Sequence, residues 1–280
     1  MTSPLRTETT AYGIAFIGGG NMASAIIGGL RKQGMPASQI QIVEPWAEQR
    51  AKLDAEFGIT AQAEPGATLS SAGLVVWAVK PQTFRQAALQ AGPHTGHALH
   101  LSVAAGIRSG SIAGWLGTER IVRAMPNTPA LVGKGMTALF ARPAVTAADQ
   151  LAVERVIQTT GEYLWLAQEE ALDAVTALSG SGPAYVFYFI EAMVQAGTEM
   201  GLSRAQAHQL AVETFVGASA LAKASSEPLE TLRERVTSKG GTTYAALTAM
   251  EQAGMKQHFK HAMHAARQRA AKLGDEFGAD

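Results

Sequence analysis

The chain has 280 residues, of which 47% are hydrophobic and 16% are charged, enough for two domains that each bury a core. This composition excludes a disordered protein. The 23 Lys and Arg residues balance the 23 Asp and Glu residues. With no excess of either charge, nothing favours nucleic acid or an anionic membrane surface as a partner.

The chain contains no cysteine, which excludes disulfides, a thiolate nucleophile and a Cys-ligated metal centre. Redox chemistry would therefore need a bound cofactor. Apolar runs such as residues 74–79 are far shorter than the roughly 18 residues that a bilayer span needs. Residues 1–10 lack the apolar stretch of a secretory leader. We predict a cytoplasmic protein with no membrane partner.

Short β-rich runs alternate with segments of helical periodicity from Ile14 to about Leu166. The predicted strands are residues 14–17, 40–43, 74–78, 99–103, 121–124 and 136–140. Helical periodicity is evident over residues 21–33, 47–57 and 82–90. Strands that alternate with helices predict an α/β fold with a doubly wound, Rossmann-type parallel sheet.

The β-rich runs stop after about Glu169, and about five helices are predicted beyond it. Pro183 suits the first turn of a helix over residues 184–200, and Ser203 with Gln206 forms a capping-box pattern. The helix over 184–200 is apolar on nearly every face, which predicts a partner chain over part of it. We therefore predict a dinucleotide-binding domain over 1–168 and a helical domain for substrate binding and dimerisation over 169–280.

A glycine loop joins the first predicted strand to the first predicted helix. Gly18 permits a tight turn, Gly20 lets the backbone approach a pyrophosphate, and Ala23 allows close packing of helix on strand. The second strand ends at Glu44, where a carboxylate can hold the adenine ribose hydroxyls of NAD and repel a 2′-phosphate unless Arg50 compensates. A solvated glutamate at the strand end is the alternative for Glu44.

Three further strand ends carry loops of small residues, at 78–81, 102–106 and 125–129. These loops should line the nicotinamide side of a cleft, because ligands of doubly wound sheets bind at the carboxyl ends of strands. Lys80 either contacts oxygen atoms of the cofactor or packs the aliphatic part of its side chain on Pro81. Asn127 either contacts a ligand or forms the hydrogen bonds of the turn. The predicted cofactor-binding residues are Ile17, Gly18, Gly19, Gly20, Asn21, Met22, Glu44, Ala78, Val79, Lys80, Pro81, Ala104, Ala105 and Asn127.

Two helix openings rich in glycine and hydroxyl groups, at 179–184 and 240–243, offer backbone N–H groups to an anion. Together they point to a substrate with a carboxylate; plain helix capping is the alternative. Two sets of three histidines, one beginning at His94 and the other at His258, are each spaced by three residues. They lack accompanying acidic or cysteine ligands of good geometry, and no metal site is predicted.

These motifs together resemble pyrroline-5-carboxylate reductase over nearly the whole chain. The specific strings are Met-Pro-Asn-Thr-Pro at 125–129 and Leu-Ser-Gly-Ser-Gly-Pro-Ala-Tyr at 178–185; residues 236–251 are similar to the family's C-terminal signature. The resemblance implies reduction of the C=N bond of 1-pyrroline-5-carboxylate to L-proline by NADPH or NADH. It also implies homodimers with swapped helical domains, and a larger ring such as a decamer.

The resemblance places substrate contacts at the glycine-glycine-threonine turn. Thr243 is the predicted catalytic residue, its hydroxyl held against the imine nitrogen, and the backbone N–H groups of Gly241 and Thr242 are predicted to hold the carboxylate. Ser179 is the fourth predicted substrate-binding residue. Lys239 stands where the family usually has proline, and Glu227 does not align cleanly with a glutamate that is common before Pro228.

Two other functions fit the sequence less well. A hydroxyacid dehydrogenase of the same architecture would need a catalytic base in the helical domain, and no lysine sits at an internal apolar helix position between Ala184 and Leu221. A non-catalytic nucleotide sensor would not need two prepared anion sites.

Overall fold

A computed structural model describes residues 13–278. The predicted absence of a leader in residues 1–10 lies outside the described residues. The seven strands form a single sheet in the order β2-β1-β3-β4-β5-β6-β7. They are β1 Gly13–Ile17, β2 Ile40–Val43, β3 Ala72–Trp77, β4 Leu99–Ser102, β5 Ile121–Met125, β6 Gly135–Ala141 and β7 Gly161–Trp165.

Eleven α-helices lie within the described residues. They are α1 Asn21–Lys32, α2 Ala47–Phe57, α3 Pro81–Thr95, α4 Ser109–Leu116, α5 Ala147–Ile157, α6 Ala171–Val175, α7 Gly182–Glu199, α8 Arg204–Ala224, α9 Leu229–Arg235, α10 Thr242–Gln252 and α11 Met255–Gly278. A π-helical turn spans Thr176–Gly180, between α6 and α7.

The doubly wound sheet predicted from the sequence is confirmed, because β1 to β5 pair in parallel. Alternate residues of β1 enter different cores: Ile14 and Phe16 pack with residues of α1 and α5, whereas Ala15 and Ile17 pack with residues of α3 and α4. Strands that are apolar on consecutive residues are therefore covered on both faces.

One strand pair departs from the parallel arrangement, since β6 runs antiparallel to β5. The chain between Met125 and Gly135 holds only a 3₁₀ turn over Thr128–Val132, too short for a crossover, which usually takes a dozen or more residues. The edge strand β7, which was not predicted, pairs in parallel with β6 after α5.

The described residues form two compact units. The first runs through Gly180 and includes the C-terminal segment from Arg267; the second is Ser181–Ala266. Residues 169–180 join the first unit because Glu169 and Asp173 form ion pairs with Arg123 and Arg108. The domain boundary between 168 and 169 stays a prediction.

The second unit is built on the packing of α7 against α8, around Val194, Ala207 and Ala211. The predicted caps are present. Pro183 lies in the first turn of α7, and Ser203 and Gln206 form both bonds of the capping box. Phe187 and Tyr188 on α7 are 64% and 69% exposed, as expected of a helix with more apolar surface than its own unit covers. Among residues 13–278, no helix is long and apolar enough to cross a membrane.

His100 on β4 makes stability depend on pH. Its side chain is fully buried, and its Nδ1 accepts a hydrogen bond from Trp77 Nε1 at 3.0 Å. Burial lowers the pKa of His100 to about 4, whereas in the unfolded chain it titrates near its ordinary value of about 6.5. Below about pH 6.5 the unfolded state therefore binds more protons than the folded state, and the free energy of unfolding falls as the pH falls.

We expect this free energy to fall by about 2 kcal/mol between about pH 7 and pH 4.5 on account of His100. Urea unfolding at both pH values measures the loss. In the His100→Gln variant, which keeps a side-chain acceptor for Trp77 but does not titrate, the fall should be smaller by that amount. An equal fall in both proteins would contradict the assignment.

Candidate active site

The glycine loop follows β1 and precedes α1, as the sequence predicts. Gly18 has a φ of +93°, a conformation that residues with a Cβ rarely adopt. A Cβ on Gly18 would lie 2.6 Å from the carbonyl oxygen of Ala78, at the end of β3. The Gly18 N–H donates to the carbonyl oxygen of Val43 at 2.8 Å. Only glycine fits at Gly18, where the loop packs between the ends of β2 and β3.

Gly20 is the N-cap residue of α1 and is exposed. No atom lies within 4 Å of a Cβ placed on it, so a ligand can approach the backbone there. The first N–H groups of α1 have no partner within the helix and carry the positive end of its dipole. Ala23, by contrast, is fully buried against the sheet. The arrangement suits the pyrophosphate of a dinucleotide.

This loop lies at the point where the strand order reverses, since β1 lies between β2 and β3 in the sheet. Ligands of doubly wound folds bind at the carboxyl ends of the strands beside such a point. The Ala78 N–H donates to the carbonyl oxygen of Ile17 at 2.8 Å. The loops after β1 and β3 are therefore directly joined.

Glu44 is only 9% exposed, so it is not the solvated strand-end glutamate of the alternative interpretation. Its Oε2 accepts from the Gly19 N–H at 2.8 Å and its Oε1 from the Trp46 N–H at 2.9 Å. Arg50 Nη1 donates to the carbonyl oxygens of Glu44 and Pro45. A ribose contact of Glu44 stays a prediction, and in the structure both carboxylate oxygens are already engaged by the protein.

Lys80 is the N-cap residue of α3, and Pro81 lies in the first turn. The Lys80 Nζ lies 6.0 Å from the centroid of the Trp46 ring, at the outer limit of a cation–π contact. Trp46 is itself 71% exposed. Lys80 thus approaches the end of β2 from the end of β3, an arrangement that fits a ligand bound across both strand ends.

The loop after β4 is tied to β3, because the Val103 N–H donates to the carbonyl oxygen of Trp77 at 3.0 Å. Ala104 is buried, and Ala105 is partly buried. Gly106 has a φ of +77°, and a Cβ there would lie 3.0 Å from Leu273 of α11. The loop is packed between β3 and the C-terminal helix, so its small residues are held in a fixed position at the carboxyl end of β4.

Asn127 uses its side-chain amide within the protein. Its Oδ1 accepts from the Met136 N–H at 2.9 Å. Its Nδ2 donates to the Ser179 carbonyl oxygen at 3.3 Å and to Ser179 Oγ at 3.1 Å. Asn127 therefore forms a hydrogen bond of the turn before β6, which is one of the two interpretations of this residue. It also holds Ser179 of the π-helical turn next to that turn. The sequence had predicted both residues for the site but had not predicted their contact.

An ion-pair cluster that sequence reasoning missed lies next to this turn. Glu169 accepts hydrogen bonds from Arg123 Nη1, the Ser109 N–H and Ser109 Oγ, each at 2.6 Å. Burial acts to raise the pKa of Glu169, but the bonds from Ser109 and Arg123 hold it below its ordinary value. Arg123 is on β5, two residues before Met125, and the partners are far apart in sequence, so no local pattern could have revealed them.

The second unit holds the glycine-glycine-threonine turn. Gly240 has a φ of +74°, and Gly241 is the N-cap residue of α10 with no side-chain capping bond. The Gly241 N–H, predicted to hold a carboxylate, instead donates to the carbonyl oxygen of Ser238 at 3.0 Å. The N–H groups of Thr242 and Thr243 are in the first helical turn and have no partner within the helix. The Thr242 N–H therefore stays a predicted anion donor, and the Thr243 N–H is available beside it.

Neither threonine hydroxyl caps α10, so the capping alternative is not realised there. Thr243 is partly buried and Thr242 is exposed. In the same unit, Glu227 forms an ion pair with Arg235. The contact of the Thr243 hydroxyl with the imine nitrogen stays a prediction. Within residues 13–278, no three His, Asp or Glu side chains are grouped so that they could hold a metal ion.

Two family models match the chain. One, described as pyrroline-5-carboxylate reductase dimerisation, matches residues 169–273, and one described as NADP oxidoreductase coenzyme F420-dependent matches residues 13–106. A pyrroline-5-carboxylate reductase of Pseudomonas aeruginosa is 45% identical over 268 residues, covering 95% of this chain and 98% of the relative. The chain belongs to the pyrroline-5-carboxylate reductase family. The resemblance seen in the sequence motifs is thereby confirmed.

Other members are similar over equal lengths. The enzyme of Pisum sativum is 36% identical over 265 residues, covering 94% of this chain and 96% of the relative. The solved pyrroline-5-carboxylate reductase of Coxiella burnetii has a TM-score of 0.86 at 34% identity, covering 94% and 98% of the two chains. A pyrroline carboxylate reductase of Plasmodium falciparum, solved with NADP bound, has a TM-score of 0.85 at 28% identity, covering 94% and 98% of the two chains.

Proposed function

We propose that this chain reduces the C=N bond of 1-pyrroline-5-carboxylate to give L-proline, with NADPH or NADH as the hydride donor. The deciding observation is the glycine loop at the switch point of the sheet, in a chain that matches reductases of this name over nearly its whole length. The sequence predicts a dinucleotide-binding domain over residues 1–168, and the NADP oxidoreductase model matches residues 13–106 within it.

The described residues fit a bound dinucleotide, because the loop backbone is open at Gly20 and closed to any side chain at Gly18. Residues 17–22 would hold the pyrophosphate with loop and helix N–H groups. The loops bearing Ala78, Val79, Lys80, Pro81, Ala104 and Ala105 would line the groove beside it. When bound, the reduced nicotinamide supplies a hydride to the substrate.

The role proposed for the protein residues is to hold the substrate and the cofactor in position for hydride transfer. A protonated cyclic imine is already electrophilic at carbon, so no strong acid or base is needed to start the reaction. The imine carbon gains the hydride, and the electron pair of the C=N π bond moves to nitrogen. Ser179, Thr242 and Thr243 are the proposed substrate contacts, with the Thr243 hydroxyl bonding the imine nitrogen and first-turn N–H groups of α10 binding the carboxylate. Gly241 contributes to this substrate site as the N-cap residue of α10.

A spectrophotometric assay of NADPH and NADH oxidation with pyrroline-5-carboxylate tests the function. We expect turnover with this substrate and none with short hydroxy acids or keto acids, because no base for alcohol oxidation is present among the proposed contacts. Absence of turnover with both nucleotides in a folded preparation would falsify the proposal. Turnover of a hydroxy acid would instead favour a dehydrogenase.

We also propose that the chain forms a homodimer through its helical residues and assembles further into a decamer in the cytoplasm. Self-association is supported by the dimerisation model over residues 169–273 and by the exposed apolar side chains Phe187, Tyr188, Leu210 and Leu221. Such exposed apolar surface marks an interface. Light scattering on the intact protein measures the assembly, and a monomer that is active would contradict it.

A further inference from the structure

The carboxylate of Glu44 joins two loops of the proposed cofactor site. Glu44 follows β2, and its Oε2 accepts from the N–H of Gly19, 25 residues earlier, at 2.8 Å. Its Oε1 accepts from the Trp46 N–H at 2.9 Å. The side chain is almost fully buried. Charge-assisted bonds of this kind are about twice as strong as neutral ones, so the carboxylate is a firm link between the loop after β1 and the end of β2.

The peptide groups of Gly19 are held on both sides. Gln49 Nε2 donates to the Gly19 carbonyl oxygen at 2.6 Å, while Glu44 accepts from its N–H. A Cβ on Gly19 would lie 2.5 Å from Leu53 Cδ1 and 3.4 Å from Glu44 Cβ. The side chain of Glu44 and those of Gln49 and Leu53 on α2 thus fix the position of Gly19. The orientation of this residue decides where the next peptides, at Gly20 and the start of α1, point their N–H groups.

We propose that Glu44 is a positioning residue for the glycine loop, and that its charge does not determine the choice between NADPH and NADH. The carboxylate is held in place by bonds from two backbone N–H groups, and turning the side chain away from them would leave both groups without this partner. The proposal rests on the use of a nicotinamide dinucleotide proposed above.

The charges around the end of β2 support this assignment. Arg50 donates to the carbonyl oxygens of Glu44 and Pro45, and the Lys80 Nζ lies over the Trp46 ring. Arg50 and Lys80 thus bring two cations to the end of β2, which also carries the carboxylates of Glu44 and of the exposed Glu48. The net charge at the end of β2 is therefore not negative, so the cations offset the repulsion between Glu44 and a 2′-phosphate bound there.

The test compares Glu44→Gln and Glu44→Ala with the parent for both nucleotides. Glu44→Ala should weaken binding of NADPH and of NADH by the same factor, about 10- to 100-fold, because the charge-assisted bonds that join Gly19 of the glycine loop to Trp46 after β2 are lost. Glu44→Gln keeps one acceptor and should recover most of this binding. The ratio of the two dissociation constants should stay within about threefold of the parent in both variants, and kcat should change much less than KM.

Glu48→Gln is the matched control, since Glu48 is an exposed carboxylate in the first turn of α2 and its loss changes the local charge by the same amount. It should leave both dissociation constants near the parent values. A tenfold or larger gain in preference for NADPH in Glu44→Gln would overturn the proposal and make Glu44 a ribose ligand. Unchanged binding of both nucleotides in Glu44→Ala would also overturn it.

Calorimetry with each nucleotide alone supplies the dissociation constants, so the outcome does not depend on turnover of pyrroline-5-carboxylate. If the parent binds nucleotide but does not reduce this substrate, the proposed function fails while the role of Glu44 can still be judged. If Glu44→Ala does not fold, Glu44→Gln decides alone, because it removes the charge and keeps an acceptor. A loss of affinity by the same factor for both nucleotides supports positioning, and a selective change contradicts it.

Discussion

Replacing Thr243 with valine should lower kcat/KM for pyrroline-5-carboxylate by about 10- to 1,000-fold, the range expected when one oriented hydrogen bond to the reacting group is lost. Valine has the shape of threonine without its hydroxyl. Within residues 13–278 the hydroxyl makes no hydrogen bond, and the N-cap of α10 is Gly241. The hydroxyl is thus available to a ligand. Steady-state kinetics, nucleotide dissociation constants and the melting temperature measure the effect.

Thr243→Ser keeps the hydroxyl and should remain close to the parent in kcat/KM. Thr248→Val is the matched control on the same helix, since the Thr248 hydroxyl donates to the carbonyl oxygen of Tyr244 at 2.8 Å and has no proposed contact with substrate. It should turn over normally. A normal rate for Thr243→Val would remove Thr243 from the mechanism. If the hydroxyl did stabilise the helix start, Thr243→Val would instead lose about 1 kcal/mol of stability at unchanged rate.

The parts of the fold that the sequence predicted are those determined by local chemistry. The strand, glycine loop and helix around Gly18 follow one another within a few residues, and the positive φ of Gly18 needs glycine itself. Ser203 and Gln206 are likewise only three residues apart, and the side chain of each bonds the backbone N–H of the other. Propensity and spacing determine such elements directly.

Strand direction and edge strands depend on more distant parts of the chain. Residues 136–140 were predicted as a strand, yet only the short connection after Met125 makes β6 antiparallel to β5. The edge strand β7 has only partly buried and exposed residues in alternation, so its apolar pattern is weak beside that of the central strands. The prediction succeeded where both faces of a strand are buried.

At the candidate site, the sequence identified residues but not all of their partners. Asn127 and Ser179 were both predicted to bind ligands, and their mutual contact joins residues 52 positions apart. The ribose contact of Glu44 stays a prediction, and the sequence did not predict the bond that its carboxylate accepts from the Gly19 N–H. The position at the end of β2 determines where the Glu44 side chain starts, but the packing of the neighbouring loops determines which donors reach its carboxylate. Contacts of this range cannot be derived from spacing alone.

Removing the Glu169 carboxylate should cost about 3–5 kcal/mol of stability, the expected loss when one member of a buried ion pair is removed. Arg123 is 4% exposed on β5 and its Nη1 bonds Glu169 at 2.6 Å. In Glu169→Ala the buried guanidinium loses its partner, and Ser109 loses the acceptor of two donors. Burial already lowers the pKa of Arg123, so the carboxylate offsets a desolvation cost. Equilibrium urea unfolding at about pH 7 measures the loss.

Two further variants separate this cost from the loss of an ordinary surface pair. Glu276→Ala removes the carboxylate of an exposed pair with Arg269 and should leave the stability almost unchanged, because exposed pairs are screened by solvent. Glu169→Leu combined with Arg123→Met removes both charges, and it should be more stable than Glu169→Ala because no buried cation is left unpaired. If the double variant is no more stable than Glu169→Ala, the loss lies in the packing of residues 169–180 on the sheet rather than in the unpaired charge.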